Sequence, residues 1–190
     1  MIIGLTGPMG AGKSEVAKIL KRQGYFIIDA DQVAHQLYTP QSPIWSELVK
    51  AFGARILNRG GNINRRKLGE IVFADKDKLE QLNRIVHPGL REEIRKLTIE
   101  NRKLKIGINA ALPVLFEGLA DKVWVVTASK EKRLRRLVKN GSTKAQALKR
   151  MRSQLNQSAY LKLADVVIKN EGTLKQLVQQ VRNADKAVIS

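Results

Sequence analysis

The stretch Gly7-Pro8-Met9-Gly10-Ala11-Gly12-Lys13-Ser14 fits the pattern G-x-x-x-x-G-K-[ST], and it decides the fold of this chain. It follows the short apolar run Ile2-Ile3-Gly4-Leu5-Thr6, which is typical of a buried strand. After it, Val16, Ile19 and Leu20 repeat at helical spacing, so the helix that must follow has an apolar face. A loop of this pattern between a strand and a helix indicates a phosphate-binding loop, and its implied ligand is ATP or GTP.

Each part of this loop has a chemical task. The glycines let backbone N–H groups turn towards phosphate oxygens, Lys13 can reach the β- and γ-phosphates, and the Ser14 hydroxyl can ligate Mg²⁺. Glu15 suits the start of a helix, yet its carboxylate would repel a phosphate if it turned inward. The residues of the loop predicted to bind the nucleotide are Gly10, Ala11, Gly12, Lys13, Ser14 and Glu15.

Composition limits the class of protein. With 190 residues, 43% of them hydrophobic, the chain can bury one sizeable core, so we expect a single domain over residues 1–190. It has no cysteine and no apolar run long enough to span a membrane, which favours a cytoplasmic protein without disulfides. Its 35 basic and 17 acidic residues give a net charge of +18, which would attract polyphosphates and nucleic acids alike. An aromatic content of 5% argues against nucleic acid as the primary partner.

The rest of the chain alternates strand and helix patterns. Short apolar runs at residues 25–28, 105–112, 122–127 and 166–168 add four strands to the first one. This order predicts a three-layer α/β fold in which helices cover both faces of a five-stranded parallel sheet. A mainly helical insertion is expected at about residues 32–100 and a helical lid at about residues 129–156. Within the insertion, Pro88 predicts a helix boundary at His87.

Two acidic residues follow the second strand. Asp29 and Asp31 are two positions apart, so an extended backbone would point both carboxylates the same way. In phosphoryl transfer a carboxylate can hold the attacking hydroxyl, which makes both residues candidate catalytic groups together with Lys13. The alternative is that one of the two only caps the helix that follows.

Basic side chains are dense in the predicted lid. A lid that closes over ATP excludes water and brings cations to the γ-phosphate. Arg136, Lys139 and Arg150 are the candidates for phosphate contacts. The alternative is a basic helix face that only meets water.

Further motifs occur along the chain in the order typical of one family. They are Ile28-Asp29-Ala30-Asp31, Arg65-Arg66-Lys67-Leu68, His87-Pro88, Pro113-Val114-Leu115-Phe116-Glu117, Gln154 and the segment from Asp165 to Gly172. With the phosphate loop, they closely resemble the dephospho-CoA kinase family over nearly the whole chain. The resemblance implies an adenylate-kinase-like P-loop kinase that uses ATP and Mg²⁺ to phosphorylate the ribose 3′-hydroxyl of dephospho-CoA, the last step of coenzyme A synthesis.

The resemblance also implies roles for single residues. Asp31 would face the acceptor hydroxyl, and Asp29 would support the metal or the acceptor. Asn170 and Gly172 would lie near the adenine of ATP. The residues that would border the acceptor are Arg66, His87, Pro113, Leu115, Phe116 and Glu117.

The chain departs from the family pattern at three places. Ala111 stands where the family usually has Asp, Lys139-Asn140-Gly141 replaces the usual Arg-Asp-Gly, and Glu15 replaces the hydroxyl residue that commonly follows Lys-Ser. A lysine attracts phosphate but cannot hold it bidentately as arginine does. The missing carboxylate leaves two alternatives open: a related kinase with another nucleotide or nucleoside acceptor, and a non-catalytic protein that binds nucleotides or nucleic acid.

Overall fold

The structure, a computed structural model, describes residues 1–189. Its strands are β1 (Ile2–Thr6), β2 (Phe26–Asp29), β3 (Ile106–Asn109), β4 (Lys122–Thr127) and β5 (Val166–Lys169). They form one sheet in the order β2-β3-β1-β4-β5, in which β1 runs parallel to β3 and β4, and β4 runs parallel to β5. The predicted α/β fold with a five-stranded parallel sheet is therefore confirmed.

The helices connect these strands in the expected alternation. They are α1 (Lys13–Arg22), α2 (Ala30–Leu37), α3 (Pro43–Phe52), α4 (Arg65–Val72), α5 (Lys76–Glu100), α6 (Lys130–Lys139), α7 (Lys144–Arg152), α8 (Gln157–Leu161) and α9 (Leu174–Ile189). Short 3-10 helices lie at Ala54–Ile56 and Pro113–Leu115. Among residues 1–189, no helix has the length and apolar character that crossing a membrane requires.

The chain forms two compact units, and the first contains residues 1–28 and the part of the chain after residue 100. On one face of its sheet, Val16 and Leu20 of α1 and Val181 of α9 are fully buried. On the other face the ring of Phe116 lies against Gly4, where an added Cβ would come within 2.5 Å of it. Both faces of the sheet are thus covered, as the continuous apolar runs of its strands require.

The second unit contains residues 29–100 and is helical. In it, α2, α3 and α4 pack on the long helix α5. The buried positions of α5 include Val86, Leu90 and Ile94, which are four residues apart and so form one apolar face.

The prediction of a helix boundary at His87 is wrong, because α5 continues through Pro88 without a break. A proline inside a helix removes one backbone hydrogen bond and costs roughly 3 kcal/mol. Val86 and Leu90 are buried on the two sides of the proline, and α5 packs on α2, α3 and α4, so this packing offsets the cost. Gly89 adds to it, since its missing Cβ lets α5 approach Ile44 of α3, whose Cδ1 would lie 2.7 Å from a Cβ there.

Candidate active site

The phosphate loop has the backbone conformation that its glycines predict. Gly7, Gly10 and Gly12 have φ values of 139°, 78° and 103°, which side chains other than glycine rarely adopt. At Gly12 the packing is also tight, because a Cβ would lie 2.1 Å from Nδ2 of Asn170. Alanine at this position would therefore both strain the backbone and displace its neighbour.

The side chains of Lys13, Ser14 and Glu15, at the end of the loop and the start of α1, have different surroundings. Lys13 donates from Nζ to the carbonyl oxygen of Gly7 at 2.8 Å, so its ammonium group folds back over the loop. Ser14 is exposed in the first turn of α1. Glu15 forms an ion pair with Lys18 at 3.3 Å on the outer side of the helix. In this pair the positive charge of Lys18 offsets the negative charge of Glu15, which would otherwise repel a bound phosphate.

Three side chains from distant parts of the chain support the loop from outside. Arg136 on α6 donates from Nη1 to the carbonyl oxygens of Gly10 at 3.2 Å and of Ala11 at 2.9 Å. Asn170, which is buried, donates from Nδ2 to the same Ala11 oxygen at 2.8 Å. Gln154 accepts a hydrogen bond from the backbone N–H of Met9 at 2.8 Å. The loop is thereby fixed on both of its halves by side chains that bind its backbone.

The segment after β5 forms a small basic cavity beside these contacts. A cavity of about 170 Å³ is lined by Lys132, Arg135, Arg136 and Gly172. Glu171 forms an ion pair with Lys132 at 3.2 Å and accepts from the backbone N–H of Ser129, and these contacts lower the pKa of its carboxyl. Asn170 and Gly172, the predicted adenine contacts, thus stand on either side of Glu171, whose carboxylate is held by Lys132 and Ser129.

The predicted phosphate contacts of the lid differ in their positions. Arg136 contacts the loop and the carbonyl oxygen of Asn170, whereas Lys139 and Arg150 are exposed on α6 and α7. Residues 130–152 hold ten basic residues and one acidic residue, and so carry half of the net charge of +18. This concentration of charge next to the loop attracts a polyphosphate whichever side chains contact it.

The segment after β3 combines buried and exposed residues. Leu115 and Phe116 are buried, while Glu117 is exposed. Pro113 lines an open apolar groove of about 500 Å³. At the position of the missing carboxylate, the backbone oxygen of Ala111 accepts from Thr6 Oγ1 at 3.3 Å and from the Tyr160 hydroxyl at 3.2 Å.

The second unit holds the two aspartates in different roles. Asp29 is the N-cap of α2, and its Oδ1 accepts from the backbone N–H groups of Asp31 and Gln32 at 3.1 Å each. The capping alternative is therefore realised at Asp29. Asp31 instead lines a cavity of about 370 Å³ with Gln32, His35, Gln36 and Arg65.

The charges of Asp31 and Arg65 in this cavity act on the half-buried phenol of Tyr38. Burial raises the pKa of Tyr38, and the charge of Asp31 adds to this effect, whereas the charge of Arg65 opposes it. The arrangement places one carboxylate, one guanidinium and the imidazole of His35 around the same space.

The other predicted acceptor residues of this unit lie elsewhere on it. The side chain of Arg66 is 89% exposed and forms an ion pair with Glu70 at 3.0 Å, so the neighbouring Arg65 is the arginine that lines the cavity. His87 is half-buried in α5, and this burial lowers the pKa of its imidazole.

Comparison with known proteins identifies the family to which this geometry belongs. The family model for dephospho-CoA kinase matches residues 1–176. The chain belongs to the dephospho-CoA kinase family. A dephospho-CoA kinase of Carboxydothermus hydrogenoformans is 42% identical over 186 residues, covering 95% of this chain and 90% of the relative. One of Streptomyces avermitilis is also 42% identical, over 184 residues, covering 94% and 89%.

Solved structures agree with this membership of the dephospho-CoA kinase family. A crystal structure of a Thermus thermophilus protein matches with a TM-score of 0.84 at 29% identity, covering 100% of this chain and 98% of the other. A dephospho-CoA kinase from Campylobacter jejuni matches with a TM-score of 0.64 at 26% identity, covering 98% and 96%. Both matches extend over nearly the whole chain, as does the set of motifs that suggested the family.

The donors that a dephospho-CoA kinase would offer to Mg²⁺ are few. Within residues 1–189, no group of three or more His, Cys, Asp or Glu side chains is placed to hold a metal ion. Mg²⁺ needs few protein ligands when a nucleotide supplies phosphate oxygens and water completes the octahedron. The exposed hydroxyl of Ser14 at the start of α1 fits that requirement.

Three residues of the site were given no role by the sequence. Gln154 belongs to the motifs that resemble the dephospho-CoA kinase family, but its contact with Met9 spans 145 positions and has no local signal. Arg65 differs from Arg66 only in its position on the first turn of α4, which the cap at Asn64 fixes. His35 lies one helical turn after Asp31, and that spacing was sufficient to place both on one face of α2.

Proposed function

We propose that this chain transfers the γ-phosphoryl group of ATP to the ribose 3′-hydroxyl of dephospho-CoA, which yields coenzyme A and ADP. The observation that carries the proposal is the family match over residues 1–176 together with an intact phosphate loop. Both substrates are soluble anions, so the proposal includes a cytoplasmic location for the reaction.

The nucleotide half of the reaction belongs to the first unit. The backbone N–H groups of Gly10, Ala11 and Gly12 would bind phosphate oxygens, and Lys13 would leave the Gly7 carbonyl to contact the β- and γ-phosphates. Ser14 would hold Mg²⁺, which neutralises charge that develops on the transferred group. The ion pair with Lys18 keeps the charge of Glu15 compensated while ATP is bound.

The acceptor half belongs to the second unit. We propose that Asp31 accepts the proton of the 3′-hydroxyl while the 3′-oxygen of the acceptor forms a bond to the γ-phosphorus. At the same time the bond between the γ-phosphorus and the β–γ bridging oxygen breaks, and ADP leaves. Arg65, on the same cavity as Asp31, supplies a positive charge that suits the diphosphate of the acceptor. Asp29 would act through its cap on α2, which fixes the backbone of Asp31.

The remaining predicted contacts stay predictions. Arg66, His87, Pro113 and Glu117 would border the acceptor by family resemblance alone. Leu115 and Phe116 are buried, so they would shape the segment from within. Lys139 and Arg150, both exposed, would reach phosphate only through movement of their long side chains.

The direct test is ADP release coupled to a reporter enzyme, with Mg²⁺ and dephospho-CoA as acceptor. Turnover should require dephospho-CoA, and phosphorus NMR should find the new group on the 3′-oxygen. Lys13→Ala should abolish turnover, whereas Lys21→Ala, an exposed change at the far end of α1, should leave it unchanged. Turnover with adenosine or a nucleoside monophosphate, and none with dephospho-CoA, would contradict the proposal.

The alternative of another acceptor rests on Ala111. Ala111→Asp would restore a carboxylate where the family usually has one, next to a backbone oxygen that Thr6 and Tyr160 already bind. Faster turnover of dephospho-CoA by this variant would mean that the natural chain is a weakened member of the family. Slower turnover would mean that the natural site is organised without that carboxylate.

A further inference from the structure

We propose that Arg133 is a further nucleotide-binding residue, which donates hydrogen bonds to the terminal phosphate of ATP. The inference rests on the proposed function and adds a contact that none of the sequence motifs contains. It comes from the surroundings of this side chain on α6.

The guanidinium of Arg133 forms no ion pair in the part of the chain that the structure describes, although the charge of Glu131 acts on it. Its Nε is buried and has no hydrogen-bond partner. Burial lowers the pKa of Arg133, so the surroundings disfavour its charge. An unpaired buried donor on a charged group is costly in a folded protein, and an anion from outside would remove that cost.

The position of Arg133 places this donor beside the phosphate loop. Its backbone packs so closely on Gly10 that a Cβ there would lie 2.7 Å from the carbonyl oxygen of Arg133. On the other side, burial raises the pKa of the Tyr160 phenol, and the charge of Arg133 opposes this effect. The Tyr160 hydroxyl donates to the backbone oxygen of Ala111, the second residue after β3, so the charge of Arg133 acts on a group at the β3 side of the loop.

The order of the strands indicates which phosphate this is. Arg136, one turn further along α6, donates to the carbonyl oxygen of Asn170 after β5 and lines the cavity beside Gly172. With adenine at that end, a nucleotide on the β1 loop extends away from β5 and towards β3, since the sheet order is β3-β1-β4-β5. Arg133 packs on Gly10 of this loop and its charge acts on Tyr160 at the β3 side, where the terminal phosphate would lie.

Arg133 differs from Arg136 in having a buried donor beside the loop, its Nε, that bonds to no protein group among residues 1–189. Nη1 of Arg136 donates to the carbonyl oxygens of Gly10 and Ala11, and its Nη2 donates to that of Asn170. A guanidinium held next to the loop in advance loses little side-chain freedom when the anion arrives. Arg133 therefore suits the role that the sequence assigned to Arg136.

The test compares binding of ATP and of ADP by calorimetry with Mg²⁺ present. Arg133→Met removes the donors but keeps an apolar chain of similar length, and Lys130→Met removes an exposed charge from the first turn of the same helix. We expect Arg133→Met to raise the Kd for ATP about tenfold or more, the range for loss of a charge-assisted hydrogen bond. The Kd for ADP should change less than about twofold, and Lys130→Met should affect both nucleotides equally and weakly.

Thermal unfolding without nucleotide separates this role from a structural one. Because Arg133→Met removes a half-buried charge whose buried Nε has no partner, the melting temperature should stay the same or rise. A lower melting temperature with equal loss of ATP and ADP binding would make Arg133 a structural residue and overturn the proposal, as would unchanged binding of both. A wild-type protein that binds ATP but does not phosphorylate dephospho-CoA would refute the proposed function. The Kd values of Arg133→Met for ATP and ADP would still test the role of Arg133, because nucleotide binding needs no acceptor.

Discussion

Replacement of Arg136 by methionine tests whether this side chain supports the loop or binds phosphate. Its Nη1 is shared between the carbonyl oxygens of Gly10 and Ala11, and its Nη2 donates to that of Asn170 at 2.9 Å. Methionine fills a similar volume without donating a hydrogen bond. Counting the shared nitrogen once leaves two bonds from a charged donor, each of which contributes at least about 1.5 kcal/mol.

The expected loss is therefore about 3 kcal/mol in the free energy of unfolding. For a chain of this size, each kcal/mol shifts the melting temperature by about 2–4 °C, so the variant should unfold about 6–12 °C lower than the wild type. The measurement is thermal unfolding of the nucleotide-free protein by circular dichroism. Lys130→Met on the same helix is the control, because Lys130 is exposed and should leave the melting temperature within about 1 °C.

The result that would refute this reasoning is an unchanged melting temperature together with weaker ATP binding. In that case the contacts of Arg136 with the loop would contribute little, and its guanidinium would act on the phosphates directly. A lower melting temperature, with an ATP affinity that falls only through the disturbed loop, would support the structural role.

Three other changes test separate parts of the site. Asp31→Asn should lower the turnover number about 10²–10⁴-fold, the usual contribution of a general base, with the Kd for ATP unchanged by calorimetry. Gly12→Ala should abolish ATP binding by the same method, because its Cβ would meet Nδ2 of Asn170 at 2.1 Å. Burial lowers the pKa of His87, so the unfolded chain binds its proton more readily and stability should fall as the pH drops below about 6.5. Urea unfolding at pH 7.5 and pH 5 should show a smaller fall for His87→Gln, and an equal fall would contradict the assignment.

The sequence predicts the features of this protein that depend on local patterns. The bounds of β4 agree with the apolar run at 122–127, because a strand buried on both faces must be apolar throughout. Gly141 and Thr143 separate α6 from α7 by local signals of this kind, since one adopts a positive φ and the other caps the next helix.

The remaining features depend on contacts between distant residues. The rule that proline ends a helix considers only the residues beside it, whereas the continuity of α5 comes from its packing on other helices. The same limit applies to the arginines of α6, where spacing alone cannot tell which guanidinium bonds to carbonyl oxygens and which has a buried Nε without a partner. That distinction requires the positions of Gly10 and Asn170 in space.

The external support of the loop has a consequence for protein engineering. Met9 and Ala11 owe their backbone positions to Gln154, Arg136 and Asn170, which come from three later segments of the chain. A peptide of the first 22 residues would contain every letter of the motif without these partners. Grafting the motif onto a new scaffold would thus transfer its sequence but not its shape, unless the scaffold supplied an acceptor for one loop amide and donors for two loop carbonyls.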